Sequence, residues 1–387
     1  MAKGRDWKRS ATVDGGRRKE WRSRLVNVPV HRGSTILFDT VEELEAARPG
    51  LGKHSYGLQG TETHWALSEA LTALEPGAAG TVLYPSGLAA ITTAILALVE
   101  AGDELLVTDS VYGPTRKFCD TILRRLGVAA RYVDPLVEGA AIAALFTDRT
   151  RAILLESPGS NTMEVQDVPG IAAAARARGI ATILDNTWAT PLLFEAIAAG
   201  VDISVIAATK FVGGHSDVMI GAATTTAELL PRMQATTWDL GLAVSPDDAW
   251  LASRGLRTMA LRMAEHEASA LAVARWLAAQ PRVGRVLHPA LPDCPGHERW
   301  ARDFKGSSSL FSFELKGSRA ERAAFINSLE KFGIGWSWGG FESLAVPADG
   351  KRTVSTPPAP NLVRLQIGLE EPAELIADLD RALNLLR

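Results

Sequence analysis

Cysteine is scarce. Cys119 and Cys294 are the only two in 387 residues, too few for a disulfide framework or a cysteine-rich metal centre. Such economy is expected of a chain kept in a reducing cytoplasm. The seven histidines never fall at His-x-x-x-His spacing, so no metal site is expected. Long apolar runs are missing as well: the stretch from Ala89 to Val99 is too short and too rich in Ala and Thr to span a bilayer. Neither sign of charge is in excess, since 41 Lys and Arg stand against 44 Asp and Glu, which argues against a nucleic-acid binder. Gly213-Gly214 lacks the spacing of a dinucleotide fingerprint, which disfavours a Rossmann dehydrogenase. No internal repeat is visible.

What is present is a globular composition, 47% apolar and 22% charged, at a length that calls for two or three domains. The first 32 residues are locally basic, with Lys3, Arg5, Lys8 and Arg9 among the cations and no apolar signal core. They read as an extended arm that lies on another subunit. From about 60 to 255, short apolar strands alternate with Ala/Leu-rich helices. Helices are expected over 63–75 and 88–99, and strands over 81–84, 104–108, 150–156, 181–184 and 203–207. A break is expected near Arg254-Gly255, followed by a bridging helix over 256–279. Beyond it, 309–315 and 363–369 alternate with the period of half-buried strands, and 372–386 has Pro at its start and Leu at helical spacing. Residues 348–360, rich in Pro and Thr, read as a loop. The fold class is therefore α/β: a mainly parallel sheet wrapped by helices, with a smaller α+β C-terminal domain whose antiparallel sheet is covered on one side. The expected divisions are an arm over 1–60, a large domain over 61–255 and a C-terminal domain over 256–387.

Asp185, in Asp185-Asn-Thr-Trp188, and Lys210, in Ala208-Thr-Lys210, each close an apolar run that reads as a buried strand. Parallel strands deliver their last residues to the carboxyl edge of the sheet, where open α/β folds bind ligands. Taken singly, such ends are more often a helix cap and a solvated amine. As a pair they suit pyridoxal 5'-phosphate (PLP), which needs a lysine for its aldehyde and an acid for its pyridine nitrogen. Ser86, Gly87 and Leu88 lie where a strand gives way to a helix, so they read either as an ordinary cap or as phosphate donors. Thr209 is a further candidate donor beside Lys210. Tyr112 follows the strand 104–108 and can stack on a cofactor ring or rest as a half-covered loop residue. Arg364 sits on the strand face opposite Val363 and Leu365, on a solvated surface or as a clamp for a substrate carboxylate. The bulky rings and glycines of Trp336-Ser-Trp338-Gly-Gly340 suggest a shaped pocket wall. His215 and Asp217 could be called a dyad.

Together these residues resemble the Cys/Met-metabolism family of PLP-dependent enzymes. The matching runs are Tyr56-Gly-Leu-Gln-Gly-Thr61, Tyr84-Pro-Ser-Gly-Leu-Ala89, Glu156-Ser-Pro-Gly-Ser160, Asp185-Asn-Thr-Trp188, Ala208-Thr-Lys210, Gly214-His-Ser-Asp217, Ser253-Arg-Gly-Leu-Arg-Thr258 and Ser337-Trp-Gly-Gly-Phe-Glu-Ser343. They cover nearly the whole chain in order. The resemblance implies that Lys210 binds the cofactor covalently, Asp185 pairs with its ring nitrogen and Tyr112 stacks on the ring. It implies that Ser86, Gly87, Leu88 and Thr209 hold the phosphate, with Tyr56 reaching in from a neighbouring subunit. Arg364, with Ser337 and the Trp338 backbone, would hold the substrate α-carboxylate. The implied fold is that of fold-type I, assembled as a homo-oligomer, a tetramer of two active dimers. The implied activity is carbon–sulfur β-elimination on L-cystathionine, with L-cysteine or L-cystine as further substrates, in methionine biosynthesis. The γ-enzymes of the same family are the rival reading, and relatives of that type commonly have Leu where this chain has Trp338. A non-catalytic protein that keeps the fold is the rival from another class. One departure is Leu58, where many relatives carry Arg; weaker cofactor retention is expected from it.

Overall fold

The computed structural model describes residues 8–386; the expectations that involve Lys3 and Arg5 lie outside the described residues. Its central sheet has seven strands: β1 (Gly80–Tyr84), β2 (Glu104–Thr108), β3 (Ala129–Val133), β4 (Thr150–Glu156), β5 (Ala181–Asp185), β6 (Ile203–Ile206) and β7 (Gly221–Thr225). Their spatial order is β1-β7-β6-β5-β4-β2-β3. Strands β2 to β6 pair in parallel, and β7 runs antiparallel to both β1 and β6. The chain steps from β2 outward to β3, then returns past β2 to β4 and proceeds the other way. That reversal opens a crevice beyond the carboxyl ends of β2 and β4, the usual ligand position in such sheets.

Why these segments are strands is visible in β4. Ala152 and Leu154 join the core on one face of the sheet, and Ile153 and Leu155 join the core on the other. A strand buried on both faces needs a continuous apolar run, which is why the sequence reading found it. Strand β7, Gly-Ala-Ala-Thr-Thr, and β3, with Arg131 at its centre, lack such a run, and neither was expected.

Helices cover both faces. Helix α1 (Glu62–Thr72) leads into β1, α2 (Gly87–Leu96) follows it, and α3 (Gly113–Phe118) follows β2. The expected break at Arg254-Gly255 does not exist. A single 33-residue helix, α4 (Pro246–Ala278), runs through it, capped by Ser245 and started by Pro at its first position. Gly255 is there for a close approach rather than a turn: a Cβ on it would stand 2.2 Å from the Gly213 carbonyl oxygen.

The second sheet is antiparallel, ordered β10-β11-β9-β8, with β8 (Val283–Leu287), β9 (Leu310–Leu315), β10 (Leu344–Pro347) and β11 (Leu362–Gln366). Phe311, Phe313, Val363 and Leu365 pack on the C-terminal half of α4, on α5 (Arg319–Ser328) and on α6 (Pro372–Asn384). The sheet was expected to be covered on one side, but every residue of β11 is buried. The Arg364 and Gln366 face is thus enclosed as well, and Arg364 is brought inside the molecule. Among the described residues no helix is long and apolar enough to cross a membrane.

Candidate active site

Lys210 follows β6 in a tight turn, in which its amide donates to the Ala207 carbonyl and its carbonyl accepts from Gly214 at 2.7 Å. Asp185 is the last residue of the neighbouring strand. One side chain ties Asp185 to the turn that carries Lys210. The Thr187 hydroxyl donates to Asp185 Oδ1 and accepts from the Ala207 amide at 2.9 Å, while the Thr187 amide donates to the same Oδ1 at 3.0 Å. Asp185 Oδ2 has no protein hydrogen-bond partner among the described residues. Burial pushes the Asp185 carboxyl upward, an effect opposed by the two bonds from Thr187 and by the positive charge of Lys210.

The Lys210 amine is depressed to about 8, chiefly by burial and then by the Arg364 charge, with Asp185 acting the other way. Its Nζ donates to Ser337 Oγ at 2.6 Å and stands 5.3 Å from the centre of the Trp338 ring. Ser337 holds that place in an unusual backbone conformation, φ 104°, a region costly for any residue but glycine. Trp338 packs on Phe211 at 5.4 Å. Trp336, by contrast, is largely exposed and forms no part of an enclosed wall in this chain.

Arg364 enters from the second sheet. Its guanidinium is lowered to about 10 by burial and donates to Asn161 Oδ1 at 3.3 Å. Asn161 Nδ2 in turn donates to the Asp349 carbonyl at 3.2 Å. Tyr112 lies just before α3, in the loop that follows β2, and its amide donates to Glu156 Oε2 at 2.6 Å. Its phenol is raised by burial and by the charges of Glu156 and Asp185, with Arg364 opposing, so all four groups share one electrostatic neighbourhood.

Ser86 caps α2, its hydroxyl oxygen accepting from Ala89 N at 3.1 Å, which leaves its O–H free to donate outward. The Gly87 and Leu88 amides precede the first helical hydrogen bond, Ala90 N to Ser86 O, and are unspent. Gly87 is required here: a Cβ would stand 2.5 Å from the Ala207 side chain, so the helix N-terminus packs directly beside the Lys210 turn. Thr209 adjoins Lys210 as expected from the sequence order. Its hydroxyl donates to the Ile220 carbonyl at 3.1 Å and accepts from the Ile220 amide at 2.9 Å. Tyr56 is half exposed on the turn before Gly57–Gln59 and shares no hydrogen bond, ion pair or ring contact with Lys210, Asp185 or Ser86 among the described residues. His215 bonds the Gly213 carbonyl, and no His215–Asp217 pair forms among the described residues.

Three residues that share this neighbourhood were given no role by the sequence reading. Glu156 pairs with Asp185 across β4 and β5, and burial together with the Asp185 charge holds its carboxyl well above the usual range. It closes an apolar strand just as Asp185 does, and that signal could have found it. Asn161 stands beside Arg364. Asp109, one residue beyond β2, accepts from Thr353 N, Val354 N, Ser355 N and both neighbouring hydroxyls at 2.8–3.0 Å, and from Arg116 Nη2 at 2.5 Å. No local pattern marks a carboxylate whose partners lie 244 to 246 residues away.

An amine depressed to about 8 and a buried carboxylate within its electrostatic reach are what a pyridine-aldehyde cofactor demands of its protein, and unspent amides beside them suit a phosphate. These residues fit PLP, and the class so defined is that of PLP-dependent enzymes on an α/β sheet. Residues 9–384 match the family of Cys/Met metabolism PLP-dependent enzymes, and the chain belongs to that family. It is similar to a putative cystathionine beta-lyase of Rhizobium johnstonii, 50% identical over 364 residues, covering 92% of this chain and 91% of the relative. It is also similar to cystathionine beta-lyase MetC of Escherichia coli K12, at 44% over 380 residues, 95% of this chain and 96% of that one. The crystal structure of metB from Corynebacterium glutamicum superposes with a TM-score of 0.91 at 29% identity, covering 98% of both chains. The cofactor is PLP, and the enzyme is a carbon–sulfur lyase.

Proposed function

We propose that this chain cleaves L-cystathionine by β-elimination to homocysteine, pyruvate and ammonia. The observation that carries the reading is Lys210 Nζ, depressed to about 8 and held between the Ser337 hydroxyl, the Arg364 charge and Asp185. Bound PLP supplies the sink that stabilises negative charge at the substrate Cα. Lys210 would bind it, Asp185 would hold its ring nitrogen through the partner-free Oδ2, and Ser86 with the Gly87 and Leu88 amides would hold its phosphate. Tyr112 would cover its ring. Arg364 would take the substrate α-carboxylate bidentately, and Ser337 would orient the Lys210 amine. As a neutral amine, Lys210 Nζ can take the Cα proton near neutral pH, which an ordinary lysine cannot do efficiently. The Cβ–S bond then breaks with its electron pair leaving on sulfur.

Tyr56 fits a site in a second copy of the chain, because it is exposed and lies apart from this one. The proposed assembly is at least a dimer, the tetramer of dimers being its further extension, and the cytoplasm is its proposed compartment. Incubation with L-cystathionine and identification of the products, with Lys210→Ala as control, tests the reaction. Pyruvate with homocysteine is expected; cysteine with 2-oxobutyrate would replace this reading by a γ-lyase.

A further inference from the structure

Ser337 holds its costly backbone conformation on the 334–343 stretch, which belongs to no helix or strand. Conformations of this kind persist only where the surroundings over-determine them, so something must pin the stretch against Lys210. Three contacts do so. Trp338 packs on Phe211 at 5.4 Å. Gly339, at φ 85°, lies on the Lys210 peptide itself: a Cβ there would stand 3.1 Å from the Lys210 carbonyl carbon and 3.0 Å from the Phe211 amide nitrogen. The third contact closes the far end, where the Ser216 hydroxyl donates to Glu342 Oε1.

Ser216 belongs to the Lys210 turn. The Gly214 amide donates to the Lys210 carbonyl at 2.7 Å and the Gly213 amide to the Ala208 carbonyl at 2.8 Å, so the chain has scarcely left the lysine when it reaches the serine. Like Ser337, it is a non-glycine residue in the left-handed region, at φ 58°. Gly340 permits the approach, since a Cβ on it would collide with Ser216 Oγ and Glu342 Oε2. Beyond Glu342 the stretch is fastened to the second domain. Ser343 Oγ donates to Glu370 Oε2 and accepts from the Gly368 amide, each at 2.8 Å, and the Leu369 amide donates to the Phe341 carbonyl at 2.8 Å.

The Ser216–Glu342 contact does little for stability. Ser216 is exposed, so water can replace Glu342 as its partner. Glu342 Oε2 is buried with no hydrogen-bond partner among the described residues, which is a cost rather than a gain. A contact so placed, between an anchored stretch and the lysine turn, acts on geometry. We propose that Glu342 is a positioning residue: by holding Ser216 it latches the 337–342 segment onto the Lys210 turn and keeps Ser337 Oγ on Lys210 Nζ. The inference rests on the orienting role of Ser337 in the carbon–sulfur lyase reading and deepens it. Neither Glu342 nor Ser216 touches the reacting atoms; each acts through Ser337.

The test is a double-mutant cycle on the holoenzyme. Ser216→Gly removes the hydroxyl where the backbone suits glycine, so the melting temperature should be unchanged or higher while kcat/KM for pyruvate from L-cystathionine falls by about three- to tenfold. Glu342→Ala should lose as much, and Glu342→Gln, which keeps an acceptor for the hydroxyl, should regain most of it. In a Ser337→Gly background, Ser216→Gly should change kcat/KM by less than about twofold, because the group it positions is gone. The visible circular dichroism of the bound cofactor reads the setting of the ring held by Lys210, and it should shift in Ser216→Gly and Glu342→Ala as it does in Ser337→Gly. Full activity of Ser216→Gly with unaltered dichroism, or an equal loss in both backgrounds, overturns the latch and leaves the lyase reading intact. A wild type that yields no pyruvate defeats the lyase reading, and the dichroism of the same variants alone then upholds or overturns the latch.

Discussion

Lys210 Nζ and Ser337 Oγ, 127 residues apart in the chain, are 2.6 Å apart in space, and the serine keeps that contact at a φ of 104°. Backbone in this region costs a non-glycine residue about 1–3 kcal/mol. Ser337→Gly should therefore leave the protein as stable as the wild type or more so, by about 1 kcal/mol, while kcat/KM falls by about tenfold. Thermal unfolding beside steady-state kinetics checks this; a variant both less stable and fully active would deny the serine its orienting role.

The depressed lysine can be titrated in the cofactor-free protein. Half-maximal reaction of Lys210 with an amine-selective reagent is expected near pH 8, where its pKa is placed. Because Arg364 lowers that value and Asp185 raises it, Arg364→Gln should move the midpoint up and Asp185→Asn should move it down. Stability follows with a definite sign. The folded pKa lies below the unfolded one, so the unfolded chain binds more protons between about pH 8 and 10.5, and Lys210 makes stability rise with pH across that window. The rise should be smaller in Lys210→Met, measured by denaturant titration at several pH values.

Glu156 behaves oppositely. Its carboxyl is raised well above the ordinary range by burial and by Asp185, so above the unfolded pKa the folded chain holds the extra proton and stability falls as pH rises. Glu156→Gln keeps an acceptor for the Tyr112 amide and removes the titration. Its melting temperature at pH 8 should equal or exceed that of the wild type, whereas Glu156→Ala, which leaves the amide unmet, should lose about 1–3 kcal/mol.

Asp109 is almost wholly enclosed. Although burial pushes its carboxyl upward, the Val354 and Ser355 amides, the Ser355 hydroxyl and the Thr353 amide hold it well below the ordinary range. Asp109→Ala leaves Arg116 buried without its partner, at a cost of about 3–5 kcal/mol. Asp109→Asn is the milder variant and should release the 349–358 segment to limited proteolysis while raising KM through the Asp349–Asn161–Arg364 chain of hydrogen bonds. An unchanged cleavage pattern and an unchanged KM would show that the segment is held by other means.

Complementation tests the shared site. Tyr56→Ala and Lys210→Ala should each be inactive alone, yet an equal mixture after dissociation and reassembly should recover about a quarter of wild-type activity, since half the dimers then carry one intact site. Recovery of none would place Tyr56 outside the partner's site.

The parts of the fold that could be read from the sequence were those governed by local pattern. Strands β4, β5 and β6 are apolar on both faces, and their ends mark where Asp185 and Lys210 emerge. The alternation around Arg364 placed it opposite Val363 and Leu365, but alternation cannot say that a second surface covers the polar face. Strand β7 was missed because Ala and Thr satisfy a buried strand without producing an apolar run. Glycine disfavours helices and so marks Gly255 as a break, whereas the Gly213 carbonyl against it is a long-range constraint. Pro and Thr in the 348–360 stretch predict a loop, and it has little regular structure, yet composition is silent about its convergence on Asp109.

That convergence gives the molecule an unusual kind of modularity. Residues 353–355 are fastened through one carboxylate by three consecutive amides and two hydroxyls, and backbone amides are common to almost every sequence. A replacement loop need only present three N–H groups in the same curl to be accepted, so the reach and chemistry of this segment can be exchanged by grafting while both sheets stay as they are.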